Sequence, residues 1–543
     1  MNISISHGGS LCRSLEFAGD YSKLPIDLPG KSGKLSIRFA VPILDMHGYW
    51  IPELRIPSQK IIWNITAASA GQRDFPFLTF FNSAGMNRFA VGTTNLVDDT
   101  VITARMNQEN CTYDLTVEVA LTEKSSAFEL IIDRQEKPWV QSLADWRAQL
   151  ALPQCDYPAG AWEPVYCTWY AVHAAVTQDW VEKNAAAASG LGFKTLIIDD
   201  GWCFDAMKRV SPETIGSWYE LIGDWQMSKV KFPDFDAHRQ RVQAMGMKYM
   251  LWVTPFLIGA ESGLFKQIKD CVFPEYKEGC YVFDTSHPEA AAKIHKLLQD
   301  VMVKYQLDGL KIDFLDYILP DVDYPLGRAT TEFIAGLSAS IREARPDALI
   351  EFRQSYATPG MLQYGTQFRA GDVPFDFIDN FNRLCQIRIS IGDNVPVHAD
   401  PMYWHPQESM VNISRHMIAS LVGVPMLSMD LPDLPETAKS VLKFWLDFYQ
   451  THRQTLNHGK WEISYTSSQV AYAMAVSESE SVIIVNDSSA LDKALAKISG
   501  PAYICNLSAS ELILDGVQSF AGNGAAADAG VVPTGGMGIL KKR

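Results

Sequence analysis

The arrangement of hydrophobic and polar residues divides the chain into three stretches. In residues 1–140, short segments such as Lys34–Val41, Lys60–Thr66 and Tyr113–Leu121 alternate apolar and polar positions, with turn residues between them. A period of two places one face of each strand in a core and the other in solvent. This stretch therefore predicts an N-terminal β-sandwich domain.

Residues 141–455 change to buried apolar runs that alternate with amphipathic helical segments, as in a parallel α/β sheet. The predicted helices include Thr177–Ser189 and Pro288–Tyr305. The predicted strands are Pro164–Tyr170, Lys194–Asp200, Met247–Thr254, Gly309–Phe314, Ala348–Arg353, Gln367–Gly371, Val395–Ala399 and Gly423–Ser428. Such a series predicts a (β/α)8 TIM barrel with long βα loops. A doubly wound sheet is the competing topology, but no GxGxxG turn follows the first strand.

Residues 456–543 return to short strands, such as Gln469–Val476 and Ser481–Val485, and predict a smaller C-terminal β-sandwich domain. The fold class is therefore α/β, with a barrel between two β-domains.

Composition excludes several functional classes. The chain has 543 residues, too many for a single core, and its net charge of -15 argues against a nucleic-acid partner. Nine scattered cysteines without CxxC pairs are typical of reduced thiols. The sequence shows neither a signal-peptide pattern nor an apolar run of the ~18 residues that span a membrane, so we expect a cytoplasmic protein without a membrane partner. Composition leaves the assembly state open, a homo-oligomer included.

The strongest chemical signal lies where two predicted strands end. Lys311 and Asp313 are two residues apart and share one strand face, while Asp199 and Asp200 end another strand. A carboxylate beside an ammonium stays ionised at neutral pH, as a nucleophile must. Either motif alone is equally well explained as a helix cap. Two motifs at one end of a barrel indicate a sugar site.

Other polar and aromatic residues follow the remaining strands at the same end of the predicted barrel. They are Trp169, Tyr170, Trp202, Trp252, Glu351, Arg353, Arg369 and Asp372. Indole rings stack on the apolar face of a sugar while charged groups bind its hydroxyls, although these tryptophans could also simply pack the barrel. No HExxH motif or comparable histidine pair occurs, so we expect neither a metal ion nor another cofactor.

The ordered motifs resemble those of glycoside hydrolase family 36 across about residues 160–435. They are Asp199-Asp200-Gly201-Trp202, Gly223-Asp224-Trp225, Lys231-Phe232-Pro233-Asp234, Leu251-Trp252-Val253, Lys311-Ile312-Asp313 and Arg369-Ala370-Gly371-Asp372. The family contains retaining α-galactosidases, with α-N-acetylgalactosaminidases and plant raffinose synthases among its relatives. The resemblance implies an exo-acting enzyme with Asp313 as nucleophile and Asp372 as general acid/base. It also implies sugar contacts, which are Asp199, Asp200, Trp202, Lys311 and Arg353.

The chain departs from the family pattern in two segments. Bacterial members usually have Lys-Trp-Asp, where this chain has Ile312 as the middle residue, and Cys-Ser-Gly-Gly-Gly, where it has Arg353-Gln354-Ser355-Tyr356. The segment around Asp372 is more similar to the raffinose-synthase branch. The alternatives to an α-galactosidase are therefore a transglycosylase of the raffinose-synthase type, an α-glycosidase for another sugar such as N-acetylgalactosamine or glucose, and a carbohydrate-binding protein on an inactive barrel.

A retaining glycosidase needs its two carboxylates in different environments. Lys311 predicts a low pKa for Asp313, whereas Asp372 has no obvious basic partner except Arg369 and is expected to have the higher pKa. Asp372 could instead cap a loop. Its rivals for the catalytic role are Asp316, Asp376, Asp379, Asp393 and Asp400.

Overall fold

The computed structural model describes residues 1–541 except 17–18, 28–29, 154, 206, 208–210, 212, 214, 467–468 and 499. Its first strands are β1 Asn2–His7, β2 Ser10–Glu16, β3 Tyr21–Ile26, β4 Gly33–Pro42, β5 Gly48–Trp50, β6 Asn64–Ser69, β7 Phe77–Phe81, β8 Asn87–Thr93, β9 Thr100–Asn107, β10 Thr112–Leu121 and β11 Phe128–Asp133. They form two antiparallel sheets, in the orders β2-β1-β4-β10-β9-β6 and β3-β11-β8-β7-β5.

The two N-terminal sheets bury alternate residues against a common core. Leu35 and Ile37 of β4 and Val117 of β10 belong to this core and are fully buried. The strand predicted over Lys60–Thr66 begins later, at Asn64. The backbone oxygen of Ile62 instead accepts a hydrogen bond from the Tyr113 hydroxyl (2.6 Å).

The next strands are β12 Val165–Cys167, β13 Thr195–Ile198, β14 Lys248–Val253, β15 Leu257–Gly259, β16 Cys280–Val282, β17 Gly309–Ile312, β18 Leu349–Arg353, β19 Gln367–Arg369, β20 Val397–His398 and β21 Met426–Leu427. All of them except the β15–β16 hairpin form one eight-stranded parallel sheet. Val165 pairs with Met426, and a bridge between His398 and Val424 joins the remaining edges, so the sheet closes. The predicted TIM barrel with flanking β-domains is confirmed.

The α-helices are α1 Trp139–Arg147, α2 Trp169–Val172, α3 Gln178–Leu191, α4 Phe235–Ala244, α5 Gly263–Ile268, α6 Pro288–Lys304, α7 Gly327–Ala344, α8 Phe377–Ile391, α9 Met410–Ser420, α10 Glu436–His458 and α11 Leu491–Leu495. Helix α6 starts with Pro288 and buries Ala290, Ile294 and Leu298, spaced one helical turn apart, against the barrel. Helix α3 ends at Gly192, whose φ of 114° is left-handed. No helix in the described part of the chain is both long and apolar enough to cross a bilayer.

The C-terminal strands are β22 Lys460–Tyr465, β23 Val470–Val476, β24 Ser481–Val485, β25 Ala502–Asn506, β26 Leu512–Ile513, β27 Val517–Phe520, β28 Val531–Val532 and β29 Met537–Leu540. They form one sheet in the order β22-β23-β24-β25-β29-β27 and a short β26–β28 ladder. Strands β24 and β25 run parallel, since helix α11 lies in the connection that returns the chain between them.

Candidate active site

A cavity of about 110 Å³ opens where the barrel strands end at their carboxyl termini. The cavity is lined by Trp169, Tyr170, Asp199, Asp200, Tyr219, Trp252, Lys311, Asp313, Phe314, Arg369, Asp372, Asp400 and Pro401. Charged side chains from several barrel strands therefore meet around one small space.

Asp313 follows β17 directly and is only 7% exposed. Its carboxylate accepts hydrogen bonds from Trp252 Nε1 (3.0 Å) and the Phe314 backbone N–H (2.9 Å), and it also contacts Arg353 Nε. Burial alone would raise the pKa of Asp313. The positive charges of Arg353 and Lys311 outweigh burial and hold this pKa well below its usual range. Asp313 is thus an ionised carboxylate in a fixed position.

The close partner of Lys311 is Asp199 rather than Asp313. Lys311 Nζ lies 2.5 Å from Asp199 Oδ2, and both side chains are almost fully buried. Cys167 Sγ also donates to this carboxylate oxygen (3.1 Å). Burial disfavours the charged form of Lys311, but Asp199 outweighs it and raises the lysine pKa above its usual value. The expected pairing of Lys311 with Asp313 is therefore corrected: Lys311 acts on Asp313 only at longer range, and Arg353 is the neighbouring cation.

Asp200 presents a carboxylate oxygen that has no partner among the described residues. Its Oδ2 accepts a hydrogen bond from Trp218 Nε1 (2.6 Å), whereas its buried Oδ1 accepts none. Burial, with a smaller contribution from the negative charge of Asp199, raises the pKa of Asp200 to about 7. Because Asp200 lines the cavity, its unpartnered oxygen is a natural acceptor for a ligand hydroxyl.

The three tryptophans predicted as sugar contacts occupy two different layers. Trp169 and Trp252 line the cavity. Trp202 is fully buried, donates Nε1–H to the Trp252 backbone oxygen (2.7 Å) and stacks on Trp225. Trp202 therefore supports Trp252 from the core and does not itself reach the cavity, which corrects its predicted role.

The two predicted arginines also differ. Arg353 is absent from the described cavity wall; its guanidinium contacts Asp313 and places Nη2 3.4 Å from Asp316 Oδ1. The guanidinium donors of Arg353 are thus directed to Asp313, to Asp316 and to the Gln354 backbone oxygen, and its role as a sugar contact stays a prediction. Arg369 does line the cavity, and its Nη1 lies 3.0 Å from Asp372 Oδ1.

Asp372 lies on the loop after β19, and its side chain is 59% exposed. Desolvation acts to raise its pKa, but the positive charge of Arg369, followed by that of Arg353, outweighs desolvation and lowers the pKa below the usual value. The expected high pKa of Asp372 is therefore wrong for the protein without a ligand. Arg369, which sequence reasoning identified as an opposing influence, is the reason.

Asp400 is a second carboxylate next to Arg369. It is fully buried, contacts Arg369 Nη1, and accepts hydrogen bonds from the Tyr170 hydroxyl (3.0 Å) and the Val373 backbone N–H (2.8 Å). Burial raises its pKa to about 7. Through Arg369 and Val373, Asp400 fixes the loop that carries Asp372.

Glu351 lies on the other side of the Arg369 side chain. It is buried in β18, with its Oε1 3.5 Å from Arg369 Nε. Neither carboxylate oxygen makes a hydrogen bond within the described structure, and burial raises the pKa of Glu351 to about 7. Arg369 therefore lies among three carboxylates.

Three lining residues were absent from the site predicted from the sequence: Tyr219, Phe314 and Pro401. Tyr170 was expected only at the end of a barrel strand, and Asp400 only as a rival for the catalytic role. Asp400 had the same signal as Asp313, a polar residue just after a barrel strand, but β20 contains only Val397 and His398. With so short a strand, sequence alone gave no reason to prefer Asp400 over its rivals.

Comparison with known sequences supports a family relationship. A sequence model of the melibiase family matches residues 159–459, more than half of the chain. The α-galactosidase of Escherichia coli is 27% identical over 165 residues, which are 29% of this chain and 22% of that protein. The bifunctional α-galactosidase/sucrose kinase AgaSK of Mediterraneibacter gnavus is 23% identical over 345 residues, 59% of this chain and 34% of that protein. The matched segments thus span about a third of these relatives or less.

Solved structures show the same fold across nearly the whole chain. The crystal structure of the GH36 α-galactosidase AgaA from Geobacillus stearothermophilus matches with a TM-score of 0.66 at 15% identity, covering 96% of this chain and 79% of that one. A variant of AgaA in complex with raffinose matches with a TM-score of 0.67, also at 15% identity, with coverage of 96% and 79%. The resemblance to family 36 is confirmed by these matches.

Proposed function

The chain belongs to the melibiase family, and from this premise we propose that it is a retaining, exo-acting α-galactosidase that releases terminal α-linked galactose by double displacement. The observation that carries the proposal is the pair of carboxylates on one small cavity. Asp313 is buried, ionised and held by Trp252, whereas Asp372 is exposed at its side chain. A retaining glycosidase uses such a pair, with the two carboxyl groups ~5–5.5 Å apart.

The first displacement forms a covalent glycosyl-enzyme. An oxygen of Asp313 attacks the anomeric carbon, the bond to the leaving oxygen breaks, and Asp372 gives its proton to that oxygen. In the second displacement Asp372, now a carboxylate, takes a proton from water as the water oxygen attacks the anomeric carbon and releases Asp313. Two inversions leave the α configuration unchanged.

The sugar contacts we propose follow from the free donors and acceptors of the cavity. The unpartnered oxygen of Asp200 accepts a hydrogen bond from a galactose hydroxyl, while Asp199 shares its carboxylate between Lys311 and the ligand. Trp169 and Trp252 supply indole surface for the apolar face of the ring. The small cavity suits one terminal sugar better than an internal segment of a long chain, which supports exo action.

A panel of aryl α-glycosides tests this proposal. We expect turnover of the galactoside well above that of the glucoside, N-acetylgalactosaminide and xyloside, with α-galactose as the first product seen by NMR. Turnover of none would favour a carbohydrate-binding protein, and a first product of β configuration would contradict the retaining mechanism.

The nucleophile is tested with Asp313→Ala. This variant should lose activity while a thermal melt shows it folded, and azide should restore turnover with β-galactosyl azide as the product, since azide can enter the space of the missing carboxylate. Wild-type-like activity in Asp313→Ala would contradict the assignment.

We also propose a cytoplasmic location. Its support is the set of buried free thiols, Cys167, Cys280, Cys385 and Cys505, which suit a reducing compartment. Fractionation of the native source with an antibody against the chain would test the location.

A further inference from the structure

Aromatic side chains extend outward from the cavity on the side of Asp372. Tyr170 lines the cavity, and the ring of Tyr403 lies 6.4 Å from it. The ring of Phe375, three residues after Asp372, lies 5.5 Å from that of Tyr403 and is 65% exposed. The rings of Phe375 and Tyr403 form a surface that we call the aromatic rim.

The aromatic rim is held in place by the backbone around it. The Tyr403 N–H donates to the Pro374 backbone oxygen (3.0 Å), which ties the two segments together. The Val373 N–H donates to the buried Asp400 (2.8 Å). Helix α8 starts directly after Asp376, whose side chain caps it. Phe375 is therefore an exposed aromatic residue on a fixed stretch of chain, with little conformational entropy to lose when a ligand covers it.

The position of the rim relative to Asp372 indicates which part of a substrate it contacts. In the proposed mechanism Asp372 donates its proton to the leaving oxygen, so the group beyond that oxygen must leave the cavity past Asp372. Phe375 lies three residues after Asp372, and Tyr403 is tied to the intervening Pro374 by a backbone hydrogen bond and contacts the Phe375 ring. A pyranose or furanose ring has an apolar C–H face that packs on aromatic rings of this kind.

We propose that the aromatic rim is the binding site for the leaving-group sugar, whose apolar face packs on Phe375 and Tyr403. This inference rests on the proposed α-galactosidase function and identifies the residues of this chain that hold the leaving-group sugar. By microscopic reversibility, a sugar acceptor occupies the same site in the second displacement. Its hydroxyl oxygen then attacks the anomeric carbon and gives its proton to Asp372, while the ester bond to Asp313 breaks. The rim therefore favours transglycosylation relative to hydrolysis.

The test compares two substrates that differ in the leaving group. Raffinose loses a disaccharide, whereas α-galactosyl fluoride loses a fluoride ion and has nothing to place on the rim. For Phe375→Ala we expect kcat/KM on raffinose to fall about tenfold, the size of one lost aromatic contact, and to stay within about twofold of wild type on the fluoride. Phe375→Tyr should keep the raffinose activity.

The second readout is how the glycosyl-enzyme divides between transfer to a sugar acceptor and hydrolysis by water. With α-galactosyl fluoride as donor and sucrose as acceptor, the ratio of transfer product to free galactose should fall about tenfold in Phe375→Ala. A matched control is Trp63→Ala, which removes an aromatic residue of similar exposure from the N-terminal domain and should change neither readout. Equal effects of Phe375→Ala on both substrates, or none on either, would overturn the inference while leaving the α-galactosidase proposal intact. Failure of the wild type to turn over both substrates would refute the proposed function and the inference with it.

Discussion

Replacing Arg353 by Met should raise the pH at which the proposed nucleophile is lost to protonation. Arg353 contacts Asp313 directly and is the cation that does most to lower its pKa against the effect of burial. Methionine keeps much of the side-chain volume but has no charge. In Arg353→Met, burial therefore raises the pKa of Asp313 with less positive charge to counter it.

The size of the shift can be worked from the contacts that remain. Removing one partner of a buried ion pair typically costs about 3–5 kcal/mol. Lys311 still lowers the pKa of Asp313, and Trp252 Nε1 still donates to Asp313 at 3.0 Å, so we take the lower end, about 3 kcal/mol. One pKa unit corresponds to about 1.4 kcal/mol. The pKa of Asp313 should therefore rise by about 2 units.

The sign follows from the role of the group. A nucleophilic carboxylate works when ionised, so kcat/KM falls as pH drops through its pKa. Raising that pKa moves the acidic limb of the profile about 2 units towards neutral. The assay is kcat/KM for α-galactosyl fluoride from pH 8 down to the lowest pH at which both proteins stay folded, because this substrate needs no proton from Asp372 and its profile reports the nucleophile.

Two variants serve as controls. Arg353→Lys keeps a positive charge and should shift the limb less. Asp316→Asn removes the other carboxylate partner of Arg353, whose Oδ1 lies 3.4 Å from Arg353 Nη2. The positive charge of Arg353 then acts mainly on Asp313, so the acidic limb should move to lower pH or stay in place. An acidic limb of Arg353→Met that coincides with that of the wild type, in a protein shown to be folded by thermal melts at each pH, would refute the electrostatic reasoning.

Three further substitutions test the other assigned roles. Asp372→Ala should reduce kcat/KM about 100-fold or more on raffinose, which needs a protonated leaving oxygen, and less than tenfold on α-galactosyl fluoride; equal losses would indicate a structural role. Asp200→Asn should lower kcat/KM on an aryl galactoside about tenfold more than on its 6-deoxy or pentose analogue, since an unpaired buried polar group costs about 1–3 kcal/mol. Asp199→Asn breaks the buried pair with Lys311 and should lower both the melting temperature and kcat/KM on the galactoside. Unchanged substrate ratios in both aspartate variants would remove the residue-level support for a galactose-like sugar.

The fold was predictable because each barrel strand is a short apolar run followed by polar residues, and that signal is local. The ion-pair partners of those polar residues were not predictable, because they depend on the residue at which each strand ends and on the backbone direction after it. Lys311 and Asp313 share a face only while the strand alternation continues, but β17 ends at Ile312 and Phe314 takes a left-handed φ of 61°. Asp313 therefore faces Arg353 from the next strand, and Lys311 is free to pair with Asp199.

The path of the backbone after the strand also explains why Trp202 lies in the core instead of at the cavity. Its motif, residues 199–202, supplies three predicted sugar contacts, but Gly201 has a φ of 101°, and a Cβ there would lie 2.4 Å from Ala174. The chain can make this close turn only with glycine. The turn directs Trp202 into the core beneath Trp252 while Asp200 stays on the cavity. A sequence motif thus identifies the site, and the backbone turn within it decides which members face the ligand.

The low pKa of Asp372 is consistent with acid catalysis because the charge on Asp313 changes during the proposed reaction. In the proposed mechanism, Asp372 must hold a proton in the first displacement and none in the second. A bound sugar covers its side chain and removes water, which raises its pKa, and the negative charge of Asp313 acts in the same direction. When Asp313 becomes an ester, that charge disappears, so the influence of Arg369 dominates and Asp372 is left ionised as the base. Titration of Asp372 by NMR in the wild type and in Asp313→Asn isolates this effect, because the substitution removes the charge without a ligand. The pKa of Asp372 should be lower in Asp313→Asn, and an unchanged or higher value would show that the two carboxylates are not coupled.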